Sequence, residues 1–382
     1  MFPGLFDETL GVRLFGYISF RVVMGALPAF LLALFSGAPA IRWLRRHRVG
    51  ERVEKTDSAD LAAEARRSGK DRTPTMGGSF LVAALLAAVL LWARLDNLYV
   101  VLAVILTAGL AAVGFVDDYK KLTVPGSKGL SSRAKMLGLS VVTLGVLAAL
   151  AWYAYKNGRA ELLALYPPFF KNVELSLYGL GLAGVLLFVA FEWLVVVGSA
   201  NATNITDGLD GLAAGLLIIS GFALSVFCYV MGRYDWTGYL NLPHVRAASE
   251  MAVVGGALIG ACMGFLWYNA HPAKVFMGDS GSLPLGGLLA WMALVSKQEL
   301  VLPLIACVAV LDLASSGLQT FWYRRTGGRR LFTCAPVHHG LQLYGGVFRR
   351  GSEKWHEVTV VIRFWIIGAC GAMASLALLK VR

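Results

Sequence analysis

Charge is scarce in this sequence. Only 15% of its 382 residues are Asp, Glu, Lys or Arg, where soluble domains carry nearer a quarter. A water-exposed globular surface is therefore not what the chain is built to present. Disulfide and zinc frameworks are missing too. Cys228, Cys262, Cys307, Cys334 and Cys370 are scattered, mostly within apolar runs and with no CxxC pair, so they read as small core residues. No strand-length alternation of apolar and polar residues appears, which argues against a membrane β-barrel. No internal repeat is visible. No basic stretch lies on a module that reads a nucleic-acid groove, so the +12 net charge does not point to DNA or RNA. The opening Met1-Phe-Pro-Gly-Leu-Phe-Asp-Glu lacks a positive n-region, and no cleaved signal peptide is expected.

What the chain has is apolar length. It is 57% hydrophobic, with a mean hydropathy of +0.65. Ten candidate spans run over 17–40, 76–95, 97–116, 134–154, 178–198, 211–231, 249–269, 283–297, 300–323 and 358–379. Each is about long enough to cross ~30 Å of hydrocarbon as a helix, the eighth being the shortest. The expected fold is an all-α polytopic membrane protein, one integral domain over residues 1–382.

Basic residues orient it. With the first span running outside to inside, inner segments 41–75, 117–135, 199–211, 267–283 and 324–357 hold 10, 5, 0, 1 and 7 Lys or Arg. That is 23 of 35, against 10 in the outer segments and two, Arg21 and Arg363, inside spans. Both termini are then extracytoplasmic. Arg42, Arg45, Arg46 and Arg48 follow the first span, where they fix topology and touch anionic lipid. Outer segments 155–177 and 232–248 read as surface turns or short interfacial helices.

Five carboxylates fall where spans meet the inner side: Asp117, Asp118, Asp207, Asp210 and Asp279. Acids beside hydrocarbon cost free energy unless a cation, a base or water meets them. Asp117 and Asp118 end the third span, where they oppose the helix dipole unless Lys120, Lys121 or a bound cation compensates. Neighbours on a helix point about 100° apart, so the two acids are expected to play different parts. Asp207 and Asp210 are expected at the N-terminus of the sixth span, which suits the dipole; Asn204, Asp207 and Asp210 share an i, i+3, i+6 spacing and one face. Asp279 lies in Phe276-Met-Gly-Asp-Ser-Gly-Ser282, either a helix cap or part of a phosphate-cradling turn. His338 and His339 follow a proline, downstream of Arg324, Arg325, Arg329 and Arg330, and suit contact with an anionic nucleotide or phosphate. Glu192 and Asp312, with Arg21 and Arg363, are intramembrane charges that suggest either an ion pathway or pairing between helices.

Taken together, these segments resemble the phospho-N-acetylmuramoyl-pentapeptide transferase family, within the polyprenyl-phosphate hexose-1-phosphate transferase superfamily. The resemblance covers nearly the whole chain and rests on Thr73-Pro-Thr-Met-Gly-Gly78, Gly114-Phe-Val-Asp-Asp-Tyr119, Asn201 to Gly211, Val275 to Leu283, Ala335-Pro-Val-His-His339 and Val361-Ile-Arg-Phe-Trp-Ile-Ile367. It implies ten transmembrane helices, a cytoplasmic active site in the bacterial inner membrane and a homodimer. The implied reaction moves phospho-N-acetylmuramoyl-pentapeptide from its uridine diphosphate carrier onto undecaprenyl phosphate with Mg²⁺, giving lipid I and UMP.

By position, the resemblance makes Asp279 the Mg²⁺-binding aspartate and Asp117, Asp118 and Asp207 essential acids. Asp207 is further expected to assist the metal, directly or through water, and His338 to contact a phosphate as a catalytic partner. Lys70, Thr75, Asn204, Gly208, Leu209, Asp210, Phe276, Ser282 and Gln319 match positions lining the nucleoside or inhibitor pocket. Lys121, Lys128, Lys135 and His339 are further substrate contacts. One departure stands out: the family reads three histidines followed shortly by Glu, whereas this chain has Gly340 and Gln342. Rival readings are a sister enzyme using UDP-N-acetylglucosamine and a transporter; a covalent aspartyl-phosphate route is the mechanistic rival.

Overall fold

A computed structural model describes residues 13–46, 63, 70, 73–124, 126–170 and 173–380. Most of the inner segment 47–72, including Arg48, lies outside the described residues. The described chain is a helical bundle in which every expected span falls on helix. The long helices are α1 (Ile18–Arg46), α2 (Gly78–Trp92), α3 (Leu98–Thr123), α4 (Ser132–Lys156), α5 (Gly181–Thr206) and α6 (Leu212–Met231). After a short α7 (Tyr234–Leu240) come α8 (Glu250–Asn269), α9 (Asp279–Val295), α10 (Leu302–Ile305), α11 (Cys307–Arg325), α12 (Val337–Tyr344) and α13 (Glu357–Ala377). Seven of these stretches are long and apolar enough to cross a membrane. The others are α2, at 15 residues, α9, at 17, and the α10–α11 pair.

The shortest expected span turns out to be the centre. Every residue of α9 from Asp279 to Val295 is buried, enclosed by α2, α3, α5 and α6. A helix that meets only protein can carry Asp, Ser and Gly that a lipid-facing helix would expose at a cost. It also begins four residues earlier than the apolar run suggests, because its first turn is Asp279-Ser-Gly-Ser.

The span expected at 300–323 is two helices. The chain bends at Ala306 (φ −106°, ψ 37°), where the Ser220 hydroxyl donates to the Ile305 carbonyl at 3.2 Å. An outside donor that satisfies a carbonyl in this way accommodates a break in the ladder. The outer segment 155–177 holds a two-residue antiparallel pairing of β1 (Ala164–Leu165) with β2 (Leu175–Ser176), which the sequence reading did not contain.

The tightest helix pair is α1 with α8. Gly256, Gly260 and Gly264 repeat at four-residue spacing along α8. A side chain at Gly256 would strike the Val22 carbonyl at 2.5 Å, one at Gly264 the Phe30 carbonyl at 2.6 Å, and one at Gly260 the Ala26 backbone. Small residues at every fourth position let two backbones touch, as helices within lipid require when no hydrophobic force drives them together. The buried Arg21 and Glu250 close the same interface with two hydrogen bonds at 2.8 and 2.5 Å, so Arg21 is an interhelical partner, not an ion-pathway group.

Gly260→Leu should therefore destabilise the protein by roughly 1–3 kcal/mol or more through forced separation of α1 and α8. Gly145→Ala, where nothing lies within 4 Å of the new carbon, should be neutral or gain up to about 1 kcal/mol of helix propensity. Thermal unfolding of the two purified variants in detergent compares them directly.

Candidate active site

Two helix ends make the site. The last turns of α3 carry Asp117 and Asp118, and the first residue of α9 is Asp279. Gly114 lets them meet, since a side chain there would collide with the Asp279 carbonyl. Asp118 uses Oδ2 to accept the Ser280 N–H at 2.9 Å, capping from a neighbouring helix one of the free amides that open α9. Asp117 faces elsewhere: its Oδ1 accepts the Leu130 N–H at 2.7 Å and its Oδ2 lies 2.6 Å from Lys121 Nζ. The two adjacent acids thus have distinct surroundings, as their angular separation on the helix dictates.

Asp279 completes the group. Its Oδ2 lies 3.0 Å from Lys121 Nζ and 2.7 Å from Lys135 Nζ, and its Oδ1 accepts Asn204 Nδ2 at 2.6 Å. Asn204 also donates to Ser282 Oγ at 2.8 Å. Asp117, Asp118 and Asp279 each offer an oxygen within 4.8 Å of the others. Three buried carboxylates against two ammonium groups leave an excess of negative charge. An all-oxygen, anionic donor set of this kind suits a hard divalent cation.

Beside it runs the Thr73–Gly78 segment. Its backbone pairs with the approach to α9 through Phe276 N–H to Pro74 O, Gly77 N–H to Phe276 O and Gly78 N–H to Met277 O, each at 2.8 Å. Thr75 is thereby set against Gly278, whose φ of +72° and lack of a side chain leave room for both Thr75 Oγ1 and Asp118 Oδ2.

A second cluster gathers Lys70, Asp210, His271 and Glu357. Lys70 Nζ lies 2.7 Å from Asp210 Oδ1 and 2.5 Å from Glu357 Oε1. His271 Nδ1 lies 2.9 Å from Asp210 Oδ2, and Glu357 also accepts the Asp210 N–H at 2.8 Å. Burial alone would lower the pKa of Lys70, but the carboxylates of Glu357 and Asp210 more than reverse this and raise it. Lys70 Nζ also sits 5.9 Å from the centre of the Phe276 ring. Gln342 bridges outward, donating to Glu357 Oε2 at 3.5 Å while its Oε1 faces His339 Nδ1 at 3.3 Å. Burial, with His338 alongside, keeps the His339 pKa well below its ordinary value, so this imidazole is neutral. Gly340 is closely enclosed, with Thr333 Oγ1 3.0 Å from where a side chain would begin, so a third histidine would press its neighbours aside by a few tenths of an ångström.

Other expected residues fall differently. Asn204, Asp207 and Asp210 do not share a face, because α5 ends at Thr206 and the chain leaves the helix at Asp207 (φ −76°, ψ 52°). Asn204 joins the first cluster and Asp210 the second. Asp207 is half-buried at the C-terminal end of α5, not at the start of α6, and stands in neither group of potential metal ligands. The carboxylates that accompany Asp279 are Asp117 and Asp118. Leu209 is packed in an apolar cluster with Leu212, Val337 and Val361. Gln319 pins a loop, accepting the N–H groups of Leu331 and Phe332 at 2.9 Å. Lys128 is exposed on the loop after α3, and Gly208 is exposed next to His338 and His339.

His271 and Glu357 were missed in the sequence. Their signal was the one that marked the other acids, polar groups at the inner ends of α8 and α13. Asp312 was noticed there but given no place in the site; it holds His338.

Gly278→Ala should cost at least about tenfold in catalytic activity and also lower the unfolding temperature, since the new carbon would lie 2.6 Å from Asp118 Oδ2 and a φ of +72° is strained for any residue but glycine. Steady-state kinetics beside thermal unfolding would show both losses.

Comparison with known proteins identifies the family. The model of the family described as glycosyl transferase family 4 matches residues 98–297, a stretch containing Asp117, Asp118, Asp207, Asp210 and Asp279. The phospho-N-acetylmuramoyl-pentapeptide-transferase of Oleidesulfovibrio alaskensis is 39% identical over 97% of this chain and 96% of its own length. Those of Thermodesulfovibrio yellowstonii and Desulfosudis oleivorans are 38% and 40% identical over 99% and 97% of the chain, and over 98% and 96% of their own lengths. At that identity over nearly full length, this chain is a multi-pass membrane transferase and belongs to the phospho-N-acetylmuramoyl-pentapeptide-transferase family.

Proposed function

We propose that this enzyme transfers phospho-N-acetylmuramoyl-pentapeptide from UDP-N-acetylmuramoyl-pentapeptide to undecaprenyl phosphate, forming lipid I and releasing UMP. The reaction runs at the cytoplasmic face of the bacterial inner membrane, and the enzyme works as a homodimer. The observation that carries the reading is the meeting of Asp117, Asp118 and Asp279 with Lys121 and Lys135 at one end of the bundle. It is supported by relatives of that name at 38–40% identity. Sidedness rests on the Lys and Arg distribution, 23 of 35 lying in the inner segments.

The chemical problem is to bring two phosphates together when both are anions. Asp279, Asp117 and Asp118 would hold Mg²⁺, and their hard oxygen donors fit it. When bound, that ion neutralises charge on the pyrophosphate and on departing UMP. Lys121 and Lys135 bind phosphate oxygens, exchanging their carboxylate partners for the substrate's charge. Asp117, with one oxygen fixed by the Leu130 amide, orients the acceptor phosphate; an acceptor already mostly ionised needs orientation more than proton removal. Asp118 holds the start of α9 and so places Asp279. Lys70, Asp210, Phe276 and Thr75 form the side of the site that receives the uridine, where a cation, a carboxylate and an aromatic face are available. His338 and His339 contact the donor near Gly208.

Detergent-solubilised protein should release UMP from UDP-N-acetylmuramoyl-pentapeptide only with polyprenyl phosphate and Mg²⁺, and EDTA should stop release reversibly. Asp117→Asn and Asp279→Asn should each lower kcat roughly 10²–10⁴-fold. Near-normal turnover in either, or preference for UDP-N-acetylglucosamine in direct competition, would overturn the assignment. Cysteines placed at 117, 207 or 279 should resist impermeant labelling from the periplasm in intact cells.

A further inference from the structure

Asp312 has so far entered only as the partner of His338, and its environment is hard to explain as packing. It lies on α11, 0% exposed, and its Oδ2 is 2.9 Å from Nδ1 of His338, itself 0% exposed. Among the described residues this is the only hydrogen bond the carboxylate makes, and Oδ1 has none. A buried carboxylate with one partner is costly to keep, and an apolar pair of the same volume would hold α11 to α12 as well or better.

The far side of the imidazole gives the reason. His338 Nε2 is buried and has no hydrogen-bond partner, a state that is uncommon unless a ligand or a reaction uses the atom. It faces Gly208, where a side-chain carbon would lie 2.6 Å from His338 Nε2 and 2.9 Å from His339 Nε2. No side chain fits at such distances, so glycine at 208 is what lets an exposed stretch of backbone lie directly against both ring nitrogens. Gly208 itself is exposed. The two rings stand 4.3 Å apart at their centres, so His338 cannot swing away without moving His339.

We propose that Asp312 is a positioning residue for His338: it holds the proton on Nδ1 and leaves the Nε2 lone pair, now unpartnered beside the exposed Gly208, as acceptor for a hydroxyl or amide N–H of the bound donor. A carboxylate only accepts, so a bond to Nδ1 requires N–H there and fixes both tautomer and ring orientation. The same logic places a buried aspartate behind histidine in hydrolytic triads, where the amide replacement costs activity by favouring the wrong tautomer. Here the sugar and peptide of the donor supply the donor groups, a step that rests on the transferase reading above.

Two measurements test it. In the first, ¹⁵N-histidine spectra of the detergent-solubilised wild type should show His338 neutral and protonated on Nδ1 near pH 8, and Asp312→Asn should move the proton to Nε2. A wild-type His338 that is doubly protonated there, or protonated on Nε2, overturns the inference. In the second, Asp312→Asn and His338→Gln should each lower kcat/KM by about 10²–10⁴-fold. The double variant should lie within about threefold of His338→Gln, because Asp312 acts only through the ring. Full additivity, or an Asp312→Asn enzyme within threefold of wild type, also overturns it. If wild-type protein fails to use the donor at all, the transferase reading falls, while the spectra still decide the tautomer.

Discussion

One hydrogen bond between helices underlies the site: the amide of Ser280, in the opening turn of α9, given to the carboxylate of Asp118 near the end of α3. A helix C-terminus is the negative end of its dipole and a helix N-terminus the positive end, so bringing the two together is favourable before any side chain is counted. Asp118 adds charge where α9 has unsatisfied donors. Gly114 on α3, and Gly78 on α2 against Gly281, remove the side chains that would keep these ends apart. Once that junction forms, Asp279 is carried to Asp117, Lys121 and Lys135 with no further choice of conformation.

The resulting cluster is balanced between repulsion and attraction. Three carboxylates within 4.8 Å of one another would repel strongly in a poorly solvated setting. Lys121 touches all three, at 2.6, 3.5 and 3.0 Å, and Lys135 reinforces Asp279. Those same ammonium groups are the ones a phosphate would attract, so arrival of substrate and compensation of the acids are linked events. The second cluster repeats the arrangement, with Lys70 between Asp210 and Glu357. Each cluster thus presents a cation already held by carboxylates and aimed by them.

Much of this was legible in the sequence because membranes impose strict rules. Apolar length gave the helices, and acids at their inner ends marked Asp117, Asp118, Asp210 and Asp279. Periodicity misled where a helix stops: the spacing of Asn204, Asp207 and Asp210 suggests one face only if α5 continues, and it ends at Thr206. Pairings between distant segments were invisible for a different reason. Nothing local to Glu357 names Lys70 as its partner, and nothing local to Asp312 names His338. The bend at Ala306 likewise depends on Ser220 from another helix, a contact that exists only once the bundle is assembled.

The complete enclosure of α9 has a consequence for how the protein is made. A stretch of 17 residues beginning Asp-Ser-Gly-Ser and interrupted by Pro284 has little affinity of its own for lipid, so the insertion machinery gains little by releasing it alone into the bilayer. Its companions α2, α3, α5 and α6 all precede it in the chain, so a protein-lined berth is available when it emerges from the ribosome. Bringing Asp279 to Asp117 and Asp118 then waits on the earlier helices, and a nascent chain in which they are misplaced has nowhere to lodge the segment that carries it.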